Sequence, residues 1–87
     1  LTPDDSAAYF TLVTAVRASE VQEQNAAKAR DELRLTEERY RVGAATFVEL
    51  AESRSSFERA EQDRIAAIYD YHQAWAALEN AVGRPLR

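Results

Sequence analysis

Apolar and small residues recur along two stretches of this chain at alternating spacings of three and four. In the first stretch the series runs Leu12, Ala15, Ser19, Gln22, Ala26, Ala29, Leu33, Thr36 and Tyr40. In the second, Leu50, Phe57, Arg64, Tyr71 and Leu78 recur every seven residues, beside a row of small residues at Ser53, Ala60, Ala67, Ala74 and Ala81. Such spacing puts the repeating positions on one face of a helix. A seven-residue period sustained over this length implies helices supercoiled left-handedly about each other. Because one seam is mostly small, the helix axes can approach closely.

The boundaries of the two stretches carry their own signals. Gly43 and Gly83 are the only glycines, and neither Gly nor Pro falls inside the roughly 36 to 40 residues that precede each. That is about three times the usual helix length. Thr2-Pro3-Asp4-Asp5 offers an N-cap, a proline at the first helical position and acids in the first turn, where the helix dipole favours them. Gly43 is the stop, since the residue just past a helix adopts a left-handed conformation without penalty only as glycine. Thr46-Phe47-Val48-Glu49 then fits a capping box, and Gly83 with Pro85 beyond it ends the second stretch. The sequence predicts an all-α fold: one long antiparallel coiled-coil hairpin over residues 1–87. Helix one covers about 3–42, the tip 43–46 and helix two about 47–82.

A membrane span is excluded, because the most apolar window, Ile65 to Val82, holds Asp70, His72, Gln73, Glu79 and Asn80. Two helices of about 60 Å at 1.5 Å per residue make a rod with exposed flanks. Partners are therefore expected, either copies of the chain or the rest of a larger protein. Val21, Leu35 and Val42 form an extra apolar row on helix one. Phe47, Arg54, Glu61, Ile68, Trp75 and Val82 form a third row on helix two. A simple pair needs one stripe per helix, so these rows point to a bundle or helical barrel, or else merely shield the flanks. On this pattern the isolated hairpin is expected to dimerise through Phe57, Ile68, Tyr71, Trp75 and Leu78.

Net charge is −4 with acids and bases interspersed, which argues against nucleic acid. Arg30, Arg34, Arg39 and Arg41 alternate with Asp31, Glu32, Glu37 and Glu38, the pattern of a solvated, ion-paired face. Cysteine is absent, so neither a disulfide framework nor a thiolate metal site is available. His72 stands alone on the outer face, and Glu37/Glu38 and Glu49/Glu52 have no pocket in which a raised pKa could arise. Neither an enzyme nor a cofactor is expected. Glu61 can pair with Arg54 or Arg64, as a register-setting device or as an ordinary surface pair.

The tip carries more information. Tyr40-Arg41-Val42-Gly43-Ala44-Ala45-Thr46-Phe47-Val48-Glu49-Leu50 resembles the hairpin tip of TolC-like outer membrane efflux proteins. In that family Tyr-x-x-Gly ends the ascending helix, Thr or Ser follows three residues later, and an apolar-acidic-apolar run opens the descending one. Ala60, Ala67, Tyr69, Ala74, Leu78 and the exit Ala81-Val82-Gly83-Arg84-Pro85-Leu86 are similar to its descending helix. The resemblance is good from Arg30 to Leu86 and generic from Leu1 to Ala29. Where many members have Leu after the tip glycine, this chain has Ala44.

The resemblance implies a trimeric parent with a β-barrel in the outer membrane and an α-helical barrel in the periplasm. This chain would be one periplasmic hairpin of such an efflux duct, a fragment of a longer chain, touching the membrane only through parts of the parent outside it. Val42, Gly43, Ala44 and Thr46 would then dock a periplasmic adaptor (membrane fusion) protein. The alternatives are a free-standing coiled-coil scaffold that dimerises into a four-helix bundle, and the hairpin of the adaptor itself.

Overall fold

A computed structural model of the chain describes residues 2–83. It consists of α1 (Pro3–Arg41) and α2 (Phe47–Val82), packed antiparallel, with no strand among the described residues. The rod measures 61 × 19 × 14 Å. The predicted exit at Arg84, Pro85 and Leu86 lies outside the described residues.

Each helix end is built by the residues beside it. The Asp5 amide donates to the Thr2 hydroxyl at 3.2 Å, and Pro3 occupies the first turn, where its missing N–H costs nothing. Val42, the last helical residue by sequence, is the cap residue of α1 instead, with φ −98° and ψ 10°. At the far end, Gly83 takes φ 74° and its amide reaches the Asn80 carbonyl at 3.2 Å.

The seam follows the heptads. Leu12 and Ala26 of α1 are buried, as are Leu50, Ala67, Ala74 and Leu78 of α2. At the open end Leu12, Ala74 and Leu78 form the core, with Ala8, Ala15, Val16, Tyr71, Trp75 and Val82 packed around them. Mid-rod the seam narrows to small side chains, and Ala26 has no exposed surface at all. Nearer the tip a polar step crosses the seam. The Thr36 hydroxyl donates to the Glu32 carbonyl, so its 3.1 Å contact with Ser53 is received from the serine. One hydroxyl has one proton.

Three expectations need correction. Tyr40 continues the α1 heptad but is exposed, because the chain is turning away from the seam there; its ring meets Phe47 edge-on at 6.4 Å. The third row of α2 is not uniform. Phe47 and Arg54 are exposed, whereas Glu61, Ile68, Trp75 and Val82 are half-buried. A helix of 3.6 residues per turn drifts by ~20° per heptad against a 3.5 repeat, in the sense that carries this row inward. Finally, the expected dimer face is largely the hairpin's own seam: Leu78 is buried within the chain, and Phe57, Ile68, Tyr71 and Trp75 are half-buried. The apolar side chains left outside are others, with Phe10 72%, Leu35 62% and Tyr69 63% exposed. Val21 and Leu35, set apart by sequence as an extra row, are among them.

Halfway along, Arg64 lies half-buried on the seam. Its guanidinium grips both Glu61 oxygens at 3.1 Å and reaches Glu23 of α1 at 3.8 Å. Of the two partners open to Glu61, the structure selects Arg64. The pair also links the helices, which is what a register-setting contact requires.

Candidate functional site

The tip is the most constructed part of the molecule. Gly43 has φ 80°, and an added Cβ would meet nothing within 4 Å. Glycine is required there by the backbone and not by crowding. Its amide donates to the Tyr40 carbonyl at 3.1 Å, and the Ala44 amide donates to the Arg39 carbonyl at 2.6 Å. These are the two crossed bonds of a Schellman motif, which satisfies carbonyls that the helix end would leave orphaned. α2 then starts on a complete capping box. The Glu49 amide donates to the Thr46 hydroxyl, and the Thr46 amide donates to the Glu49 carboxylate, both at 3.0 Å.

Side chains close the loop from both sides. Arg39 Nη2 donates to the Ala44 carbonyl at 2.9 Å and lies 3.7 Å from Glu49 Oε2. Arg41 pairs instead with Glu38 on its own helix at 2.7 Å. Of the four sequence-predicted tip residues, Val42, Gly43, Ala44 and Thr46, all are exposed and fall on this one loop. Phe47 and Val48 extend the surface with 63% and 64% exposure. They border a shallow groove of about 570 Å³ that continues over Ala51, Glu52 and Ser55. The sequence reading missed Arg39, Phe47 and Val48. The Arg39/Glu49 charge pair flanking the loop was the available signal, submerged in the charge alternation of residues 30–41.

The Thr46 amide, then the Thr46 hydroxyl, hold the Glu49 carboxyl below the ordinary glutamate value; burial opposes them and the Arg39 charge adds to them. Hydrogen bonds from Arg64 do the same for Glu61. A carboxyl depressed in the folded state contributes stability that is present above its unfolded pKa and lost as pH falls through the folded one. Acidification below the glutamate range should therefore lower the melting temperature, and Glu49→Gln and Glu61→Gln should each shrink that drop. Melting curves followed by circular dichroism check this; variants that melt with the wild-type pH slope would contradict it. Thr46→Ala removes the cap hydroxyl and should cost about 0.5–2 kcal/mol, read by urea unfolding, with the loss focused on the first turn of α2.

Elsewhere little chemistry is assembled. His72 is exposed and contacts the Tyr71 ring at 5.3 Å. Among the described residues no group of three or more His, Cys, Asp or Glu side chains could hold a metal ion. No helix among them is long and apolar enough to cross a membrane.

A continuous seam, two long helices and a capped, exposed turn define a coiled-coil hairpin with a closely tied tip at one end. The chain belongs to the outer membrane efflux protein family, whose model matches residues 5–84. The match takes in nearly all of α1, more than the tip and descending helix that carried the resemblance. It is a family of transport channels, whose members typically oligomerise and work with adaptor proteins. No curated protein and no solved structure matches the chain.

Proposed function

We propose that the chain is a periplasmic hairpin of an outer membrane efflux duct, part of a longer chain that assembles as a trimer. Its flanks line up with neighbouring helices in an α-helical barrel, and its tip docks a periplasmic adaptor protein. The role is geometric and needs no catalytic group. The observation that carries the reading is the tip: Val42, Phe47 and Val48 hold apolar side chains in solvent on a turn whose backbone is fixed by a Schellman motif and a capping box. An exposed apolar patch on a rigid turn suits a docking partner better than it suits water.

Cysteine cross-linking in the full-length duct tests this. Val42→Cys, Ala44→Cys and Thr46→Cys should trap the adaptor, whereas Gln24→Cys, exposed on the middle of α1, should not. Adaptor adducts at Gln24 and none at the tip would contradict the reading.

The flank half of the proposal has its own consequence. With Phe10, Leu35, Ile65 and Tyr69 outside, the isolated chain should self-associate. Sedimentation equilibrium should give a mass above that of one chain at high micromolar concentration. A stable, fully helical monomer there would count against a lateral role for these faces.

A further inference from the structure

Of the four arginines on residues 30–41, it is Arg39 that reaches the far side of the loop. Its main chain and its side chain act on the same residue: the Arg39 carbonyl accepts the Ala44 amide, and the Arg39 guanidinium donates to the Ala44 carbonyl. The C3 and C″ residues of a Schellman motif are usually joined by an apolar contact. Here Arg39 and Ala44 hold those places, and a charged hydrogen bond replaces that contact. The Glu49 carboxylate is divided in a matching way. Its Oε1 accepts from the Thr46 amide, while its Oε2 faces Arg39. One side chain therefore ties the last turn of α1, the middle of the loop and the first turn of α2.

We infer that Arg39 is the positioning residue of the tip, fixing the shape of the loop from Val42 to Thr46 before any partner arrives. The contribution is directional more than energetic. Both Arg39 and Glu49 are about half exposed, so water screens their attraction. Both contacts are made by one terminal nitrogen, Nη2, whose two N–H bonds let it donate to the Ala44 carbonyl while it faces the Glu49 carboxylate. A loop already held in its bound shape loses less conformational freedom when a partner docks. That last consequence rests on the tip being the docking surface; the positioning itself does not.

The test uses the whole chain and three variants: Arg39→Ala, Arg39→Lys and Glu49→Gln. Amide hydrogen exchange by NMR is read at Ala44 and Thr46, with amides around Gln24 as internal reference. Arg39→Ala should speed exchange at Ala44 and Thr46 on the order of threefold to tenfold, the range for losing a charged hydrogen bond at an exposed site. Arg39→Lys, which keeps the charge and a terminal nitrogen able to donate, should restore Ala44 and Thr46 part of the way. Glu49→Gln, which keeps an acceptor for the Thr46 amide, should disturb Ala44 least. Reference amides should not change in any of them. Unchanged exchange at Ala44 in Arg39→Ala would overturn the inference.

Adaptor cross-linking at Val42→Cys in the full-length duct separates the two claims. Faster exchange with weaker cross-linking supports positioning for docking. Faster exchange with undiminished cross-linking keeps the positioning role and removes the docking reading. Unchanged exchange with lost cross-linking would mean that Arg39 touches the adaptor itself, which overturns positioning.

Discussion

Leu78→Ala should destabilise the hairpin by about 2–3 kcal/mol, at the lower end of the range for truncating a buried leucine. Leu78 joins Leu12 and Ala74 in the core cluster at the open end of the rod. Beyond this cluster the α1 side of the seam is mainly Ala, Ser, Thr and Gln, and the large apolar residues Leu33 and Leu50 lie nearer the tip, too far away to replace what is lost. The lower end applies because a two-helix seam borders solvent and its neighbours can settle into part of the gap. Urea unfolding at one fixed protein concentration checks the value, since self-association would otherwise add a concentration term. Loss below about 0.5 kcal/mol, the scale of an ordinary surface change, would mean that the open end is not the hairpin's core.

Gly43→Val is expected to damage the tip and leave the helices largely folded. A β-branched residue at φ 80° is strained whatever space surrounds it, and the surroundings are empty. The cost is about 1–3 kcal/mol for a forced left-handed backbone. The Schellman bonds from Gly43 and Ala44 hold only while that conformation lasts, so relief of the strain means their loss. Gly43→Asn should be milder, because asparagine visits the left-handed region more readily. Circular dichroism should show most helicity retained in the valine variant, and exchange at the Ala44 and Thr46 amides should rise. In the full-length duct, export should fall as well. If Gly43→Val exports and cross-links like the wild type while folding and inserting, the tip is not the docking surface.

The parts of this molecule that could be read from sequence are those decided by near neighbours. A cap is settled within four residues, so Thr2 with Pro3, Thr46 with Glu49, and Gly43 each announced themselves. The seam was legible for a related reason, because a heptad repeats its message at Leu50, Phe57, Arg64, Tyr71 and Leu78 and tolerates a missed position. What was not legible depends on how far one helix is rotated against the other. The third α2 row turns inward between Arg54 and Glu61, and no single residue there says so. Tyr40 keeps the period but leaves the seam because the loop begins two residues later. Arg39 was hidden in the alternating charges of residues 30–41, since only the closed loop brings it to Ala44 and Glu49. The dimer face drawn from Phe57, Tyr71 and Leu78 confused the intramolecular seam with the outer surface, as both share one period.

Hydrogen exchange followed by mass spectrometry, on the full-length duct with and without its adaptor, tests tip docking most directly. If the tip docks the adaptor, the adaptor slows exchange in peptides spanning Tyr40 to Leu50 and leaves peptides from the middle of α1, around Gln24 to Lys28, unchanged. Protection along the flanks with none at the tip would contradict it.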